Sequence, residues 1–224
     1  TVTGCTIKSR SAGLKVDEIY APPGIRNVVF DACVIYQSNR GLCVQGRDEG
    51  DIENILFSNI TIETQLQPSK WWGAGEVIYV SNRPRHPDTR LGHLRHIRFS
   101  NILCQGENGV YLHGSEARPI EDVVLDNVRV AVGKTTDVPG GFYDDRPIGS
   151  ASTGGQFTGI YTNSIAGIFA RDVNGLTLRN SQVVWDRPKA GIYGKALDEA
   201  NVQNLRLDGD VFDSSPGPKP DGSH

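Results

Sequence analysis

Short segments of alternating apolar and polar residues recur along the chain. The segment IRNVVF at 25–30 returns, with the same alternation, at 52–57, 94–99, 120–125, 173–178 and 202–207. A period of two is typical of a strand with one buried face. Most copies continue, after a small or polar residue, into a second apolar pair, as in FSNITI at 57–62. Each copy therefore predicts two short strands separated by a bend.

The spacing of these segments predicts a solenoid. Equivalent apolar positions lie 27 residues apart at Phe30 and Phe57, and 26 apart at Phe99 and Leu125. A third strand begins at a glycine in most repeats, namely at Gly13, Gly41, Gly109 and Gly167. Three short strands in each repeat form one coil of a parallel β-helix, so we expect an all-β solenoid of about six or seven coils.

Two longer intervals locate insertions. Their extra residues, about 65–76 and 133–166, enter at the same corner, just before the glycine strand. Insertions at one corner of a solenoid project from one side and often wall a binding face. We expect a single domain over residues 1–213 whose first coils lie upstream of Thr1, followed by a disordered tail at 214–224 that is rich in proline and glycine.

Asparagines and cysteines also recur in register. We interpret Asn59, Asn101, Asn127 and Asn180 as corner residues whose amides hydrogen-bond from coil to coil. Cys5 and Cys33 occupy equivalent places in neighbouring repeats, and we interpret them as packing residues, with a disulfide as the alternative.

The net charge and the composition limit the classes of binding partner that we expect. The net charge of −3 gives no basic face for nucleic acid or an anionic membrane, and no apolar run reaches membrane-spanning length. The histidines and cysteines have no metal-ligand spacing, so we predict no metal. We predict no cofactor either.

The first insertion contains the sequence WWGAGE at 71–76. Aromatic side chains on a loop provide platforms for sugar rings, so Trp71 and Trp72 are candidate substrate-binding residues. Packing into the core is the alternative. Glu76 is a candidate catalytic acid, with a contact that stabilises the turn as its alternative role.

The second insertion contains GGFYDDRP at 140–147. Asp144 and Asp145 are candidate catalytic residues, because adjacent carboxylates raise each other's pKa when partly buried. Tyr143 and Arg146 are candidate substrate-binding residues. The alternative is an Asp–Arg pair that only fixes the loop.

Every second residue of the glycine strands points away from the core. The outward residues are Lys15, Cys43, Gln45, Tyr79, Tyr111 and His113. We predict that this row contacts carbohydrate, with Gln45, Tyr111 and His113 binding substrate. The row continues into a turn with Arg47, a candidate substrate-binding residue, and Asp48, a candidate catalytic residue.

The strings NVVFDACVIYQSNRGLCVQGRDEGDIENILFSNITIE at 27–63 and CTIKSRSAGLKV at 5–16 resemble the later coils of glycoside hydrolase family 28, the polygalacturonases. The resemblance covers about residues 1–210, and the two insertions resemble a bacterial branch of that superfamily. It implies a right-handed β-helix that hydrolyses galacturonan-type linkages with inversion, using two aspartates. It also implies a secreted or periplasmic location.

The chain departs from the family pattern at three motifs. The paired-aspartate motif would lie upstream of Thr1. The family's Gly-His-Gly motif aligns near 11–13, where Ser11 replaces the histidine. The Arg-x-Lys pair that binds the substrate carboxylate falls on Cys43 and Gln45, and neither is cationic. A neutral or differently placed sugar is therefore an alternative to uronate, with Arg47 as a candidate substitute charge.

We therefore expect a polygalacturonase-like glycoside hydrolase, with an oligo- or polysaccharide as its partner. A non-catalytic carbohydrate-binding β-helix, of the tailspike or adhesin kind, is one alternative. A polysaccharide lyase or epimerase on the same scaffold is another. Because an open coil exposes unpaired strand edges, we also expect upstream coils or a partner chain to cap the first coil.

Overall fold

The computed structural model describes residues 1–18, 23–68, 71–148, 158–186 and 191–213. Every regular element in these ranges is a β-strand, which confirms the all-β prediction. The described residues include no helical segment that could span a lipid bilayer. The tail predicted at 214–224 lies outside the described residues, as does the segment 149–157 of the second insertion.

Eighteen strands follow one another along the chain. They are β1 (Val2–Thr3), β2 (Thr6–Ile7), β3 (Ala12–Glu18), β4 (Ile25–Asp31), β5 (Val34–Ser38), β6 (Arg40–Gly46), β7 (Ile52–Thr64), β8 (Glu76–Asn82), β9 (Leu94–Gly106), β10 (Asn108–His113), β11 (Ile120–Val132), β12 (Phe142–Ile148), β13 (Thr158–Thr162), β14 (Ile168–Arg179), β15 (Gln182–Trp185), β16 (Leu197–Gln203), β17 (Arg206–Asp208) and β18 (Val211–Phe212).

The strands pair in parallel into three ladders. The first ladder contains β1, β4, the first halves of β7, β9 and β11, the second half of β14, and β17. The second ladder contains β2, β5, the second halves of β7, β9 and β11, then β15 and β18. The glycine ladder contains β3, β6, β8, β10, the start of β14, and the start of β16, whose end at Val202 and Gln203 continues the first ladder. Together they form one large curled parallel sheet, consistent with a parallel β-helix.

The core consists of columns of equivalent residues from successive repeats. Phe30, Phe57 and Phe99 stack with ring centroids 4.9 and 5.2 Å apart. Cys33 is buried in the same core and Cys5 packs against it. All four cysteines are free thiols, so the packing interpretation is confirmed and the disulfide alternative is wrong.

The recurring asparagines occupy one corner, as predicted. The Asn101 side chain donates to that of Asn59 at 3.2 Å, and Asn127 donates to Asn101 at 2.9 Å. The backbone φ is positive at all four positions, between 49° and 56°. Asparagine tolerates this left-handed conformation better than most residues. The corner therefore selects asparagine for its backbone as well as for its amide.

Both insertions enter between the second ladder and the glycine ladder. The first lies between Thr64, the end of β7, and Glu76, the start of β8. The second lies between Val132, the end of β11, and Ile168, the start of β14. The prediction of a shared corner is therefore confirmed.

A buried carboxylate joins the roots of the two insertions. Glu107 accepts hydrogen bonds from the backbone N–H of Leu66 in the first insertion (3.0 Å) and of Thr135 in the second (2.7 Å). Lys134 Nζ lies 3.0 Å from the same carboxylate. Burial alone would raise the pKa of Glu107, but these donors outweigh it and hold the pKa below its usual value.

Candidate functional site

The antiparallel hairpin β12–β13 covers the outer face of the glycine ladder. Its Tyr143 packs against Tyr111 and Phe169, with ring centroids 5.0 and 4.7 Å apart. The row predicted to contact carbohydrate is therefore largely buried under the hairpin. The buried outward residues are Cys43, Gln45, Tyr79 and Tyr111. The expectation that these four residues form an open strip is wrong, because the insertion folds back over them. The substrate-binding roles of Gln45 and Tyr111 remain predictions.

Asp145 lies at the centre of this buried face. Its Oδ1 accepts hydrogen bonds from Arg47 Nη2 (2.9 Å), the Tyr79 hydroxyl (2.6 Å) and the Ser81 hydroxyl (2.5 Å). Burial alone would raise the pKa of Asp145, but the Arg47 guanidinium and the hydroxyl donors hold it below its usual value. Asp145 therefore stays ionised and pins the hairpin to β6 and β8.

Asp144 joins the hairpin to the first insertion. Its Oδ1 accepts a hydrogen bond from Arg146 Nε at 2.7 Å, and its Oδ2 accepts one from Arg146 Nη2 at 2.6 Å. Oδ2 also accepts a hydrogen bond from the Gly73 N–H at 2.7 Å. Burial opposes ionisation, but the Arg146 hydrogen bonds and the nearby Arg40 outweigh it and lower the pKa of Asp144. Gly73 has a φ of 119°, which favours glycine, and an added Cβ would lie 3.0 Å from Arg40 Cγ. Both aspartates therefore form the kind of Asp–Arg pair that was the alternative to a catalytic role, Asp144 with Arg146 and Asp145 with Arg47.

Glu76 and Asp48 also form ion pairs. Glu76 is fully buried, with Arg40 Nε at 3.1 Å and the Ala74 N–H at 2.8 Å from its Oε2. Asp48 Oδ2 lies 3.0 Å from Arg85 Nη2. A general acid must reach the substrate and hold a proton near the working pH. The catalytic roles of Asp48, Glu76, Asp144 and Asp145 remain predictions, and the burial of the last three argues against them.

His113 lies at the edge of the covered face and is neutral near pH 7. Burial lowers its pKa to about 4 despite Asp145 nearby. Its Nε2 is 3.1 Å from Arg83 Nη1, which can only donate, so Nε2 is the acceptor and Nδ1 carries the proton. Nδ1 then donates to the Tyr111 hydroxyl at 2.6 Å, and that hydroxyl lies 2.8 Å from the Tyr161 hydroxyl. His113 therefore serves the same polar network that holds the hairpin.

A cleft of about 270 Å³ lies beside the hairpin, over β3 and β6. We call it the cationic cleft. Its charged lining residues in the described part of the chain are Lys15, Arg40, Arg47, Arg85 and Arg146, with Asp17 as the carboxylate. Trp72 and Gln45 also line it.

Buried carboxylates outside the cleft hold three of its arginine side chains in place. Arg40, Arg47 and Arg146 pair with Glu76, Asp145 and Asp144, which are buried and are not among the lining residues. Among the paired cations that line the cleft, Lys15 is the most exposed, with 41% of its side chain accessible, and it pairs with Asp17 at 2.6 Å. Lys15, Arg85 and Arg146 also keep exposed surface, on which they are suited to bind a carboxylate, sulfate or phosphate group.

The structure divides the predicted substrate-binding residues into three groups. Gln45, Arg47, Trp72 and Arg146 line the cationic cleft. Trp71 is 46% exposed and lies on the other side of Arg146. Tyr111, His113 and Tyr143 belong to the face under the hairpin.

The sequence contained a signal for the covered face that period-two reasoning missed. Residues 77–80 (VIYV) and 109–112 (GVYL) are nearly continuous apolar runs, which is typical of strands buried on both faces. Arg40 and Arg85 were missed for a different reason. Neither lies on the outward phase of a glycine strand, and only the fold brings them to the cleft.

Comparisons with protein-family models, curated proteins and solved structures find no match to this chain.

Proposed function

We propose that this chain is a right-handed parallel β-helix of about six or seven coils that acts on an acidic polysaccharide, as a polygalacturonase-like glycoside hydrolase of secreted or periplasmic location. The observation that carries the proposal is the cationic cleft. It combines five cationic side chains with Trp72 beside the glycine strands, where the resemblance to the polygalacturonases expects substrate.

The cleft supports an acidic saccharide more than a neutral one. Lys15, Arg85 and Arg146 keep part of their side chains exposed, and a guanidinium fixed by an ion pair binds an anion with little further loss of conformational freedom. Cys43 and Gln45 stand where the resembled family carries its cationic pair. Lys15, Arg85 and Arg146 would supply the charge from other positions around the same cleft.

The hydrolytic step rests on the resemblance more than on the cleft. Inverting hydrolysis uses two carboxyl groups about 6.5–9.5 Å apart, one as acid and one as base. Among the described lining residues, Asp17 is the candidate carboxylate. The lining of the cleft thus supports saccharide binding, and the resemblance supports hydrolysis.

A non-catalytic carbohydrate-binding protein is the second candidate. The observation that favours it is that Glu76, Asp144 and Asp145 are all buried in pairs with arginine. In this alternative the same cleft binds the saccharide without turnover.

Product analysis separates these functions. The protein is incubated with polygalacturonate and with neutral polysaccharides, and reducing ends and absorbance at about 235 nm, where unsaturated uronate products absorb, are followed. We expect reducing ends from the acidic polymer without new absorbance. New absorbance would indicate a lyase, and saturable binding without either product would assign the binding protein.

The cleft itself is tested by a matched pair of lysine variants. Lys15→Gln removes one cation of the cleft, whereas Lys8→Gln removes a lysine that lies near Tyr36 and hydrogen-bonds Gln37. We expect Lys15→Gln to weaken binding of polygalacturonate and to reduce its salt dependence, and Lys8→Gln to leave both unchanged. Equal effects of the two variants would contradict binding in this cleft.

A further inference from the structure

An apolar groove of about 420 Å³ lies between the two insertions. Its walls include Leu66, Pro68 and Trp71 from the first insertion, and Pro139, Phe142 and Ile160 from the second. Trp71 and Ile160 are 46% and 41% exposed, although both are large apolar side chains. Exposed apolar surface gathered in a concave site is typical of a binding site.

The groove continues from the cationic cleft. Arg146 lines both, and its guanidinium is fixed by Asp144. It lies 4.8 Å from the Trp72 ring centroid on the cleft side and donates to the Trp71 carbonyl at 2.5 Å on the groove side. The neighbouring tryptophans thus line sites that adjoin at Arg146, and a ligand that occupies both must pass over this side chain.

The chemistry of the two sites differs. The cleft offers cations, whereas the groove offers mainly aliphatic, aromatic and proline surface. The polar side chains of the groove are Gln67, Thr162 and Arg146, which are fewer than an unsubstituted sugar ring needs for its hydroxyl groups. A flat apolar group would instead bury its surface and stack on Trp71.

We propose that the apolar groove binds an aryl substituent carried by the acidic saccharide whose anionic group lies in the cationic cleft. The inference rests on the proposed binding of an acidic saccharide and specifies the class of that saccharide, an aryl-substituted one. Trp71 and Ile160 are the specificity-determining residues for the substituent, and Arg146 marks the junction.

The test compares three small probes by calorimetric titration of the whole protein: 4-nitrophenyl α-galacturonide, methyl α-galacturonide and 4-nitrophenyl α-galactoside. We expect the aryl galacturonide to bind about three- to tenfold more tightly than the methyl galacturonide, the gain typical of one good aromatic contact. Trp71→Ala and Ile160→Ser should each reduce this ratio toward one. Leu103→Ala, which removes a comparably exposed apolar side chain from the second ladder, should leave it unchanged.

Equal affinities of the two galacturonides, an aryl gain that survives both groove variants, or no binding of either galacturonide would each overturn the inference. A third result would contradict only the proposed preference for an acidic saccharide. In that case the aryl galactoside binds as tightly as the aryl galacturonide, and Trp71→Ala weakens the binding of both. Sedimentation tests another occupant. A wild-type dimer that Trp71→Ala dissociates would assign the groove to a second copy of the chain and would also overturn the inference.

Discussion

The outer faces of the second ladder and the glycine ladder have the same strand geometry but opposite environments. On the second ladder, outward Val34 and Leu103 are 43% and 50% exposed. On the glycine ladder, outward Tyr79 and Tyr111 have no exposed surface. The difference arises because the hairpin β12–β13 folds over the glycine ladder. The phase of a residue on a strand therefore determines its direction, but a neighbouring insertion determines its exposure.

The same contrast holds for charge. The Arg179–Asp126 pair, at 2.5 Å, lies on the surface of the first ladder and is partly exposed. The Arg47–Asp145 pair is fully buried under the hairpin. When one partner of an exposed pair is removed, water hydrates the remaining charge. When one partner of a buried pair is removed, the remaining charge is left uncompensated. The polar residues of the covered face are thus tied to the hairpin, and those of the open face are not.

The largest expected effects lie on the covered face, and the first of them comes from breaking the buried pair. Asp145→Ala leaves Arg47 buried without its carboxylate, so we expect a loss of about 3–5 kcal/mol in the free energy of unfolding. Chemical denaturation followed by tryptophan fluorescence measures it. Asp126→Ala is the matched control on the open surface, and we expect almost no change there. Similar losses for both variants would mean that the hairpin does not bury this pair.

The pH dependence of stability should reflect His113. Its pKa is about 4 in the folded protein and about 6.5 when unfolded, so the unfolded state binds the extra proton between these values. Stability should therefore be full above pH 6.5 and fall by about 3 kcal/mol as the pH decreases to 4. His113→Gln should flatten this part of the curve in denaturation experiments. An unchanged slope in the variant would assign the effect to other groups.

Asp144 and Asp145 act in a lower pH range. Their folded pKa values lie below the usual carboxyl value, so they stabilise the fold above the unfolded value of about 3.9. That stability is lost as the pH falls through the folded values. The two ranges separate the contribution of the histidine from that of the carboxylates.

A smaller effect is expected at the roots of the insertions. Glu107→Gln keeps the shape of the side chain but removes the charge that faces Lys134 and the backbone donors. We expect a loss of about 1–3 kcal/mol in the free energy of unfolding, because buried donors lose a charged acceptor. Hydrogen exchange should show faster exchange at Leu66 and Thr135. Glu121→Gln, at a partly exposed pair with His93, is the control.

The smallest effect is expected on the open face. Leu103→Thr replaces an exposed side chain, so stability should change by less than about 0.5 kcal/mol. Tyr111→Ala is the counterpart on the covered face and should cost about 3–5 kcal/mol, because it leaves a cavity among stacked rings. Thermal or chemical denaturation compares them. A strongly destabilising Leu103→Thr would mean that the second ladder is covered as well.

Local pattern was sufficient for the repeats, the strand ladders, the asparagine corner and the place where the insertions enter. These features depend on which face of a strand is apolar and on the spacing of equivalent residues, and both are visible along the chain. The pairing of Phe30 with Phe57, and of Phe57 with Phe99, follows directly from that spacing.

The site depended on contacts that no spacing encodes. Asp145 lies 98 residues from Arg47, and Asp144 lies 71 residues from Gly73. Residues this far apart meet only because the second insertion folds back onto β6 and β8. The sequence by itself determined the repeating strands and the candidate residues. Only the tertiary structure decided which of those residues are buried in ion pairs and which line the cleft, because burial and pairing depend on the insertion that covers the glycine ladder.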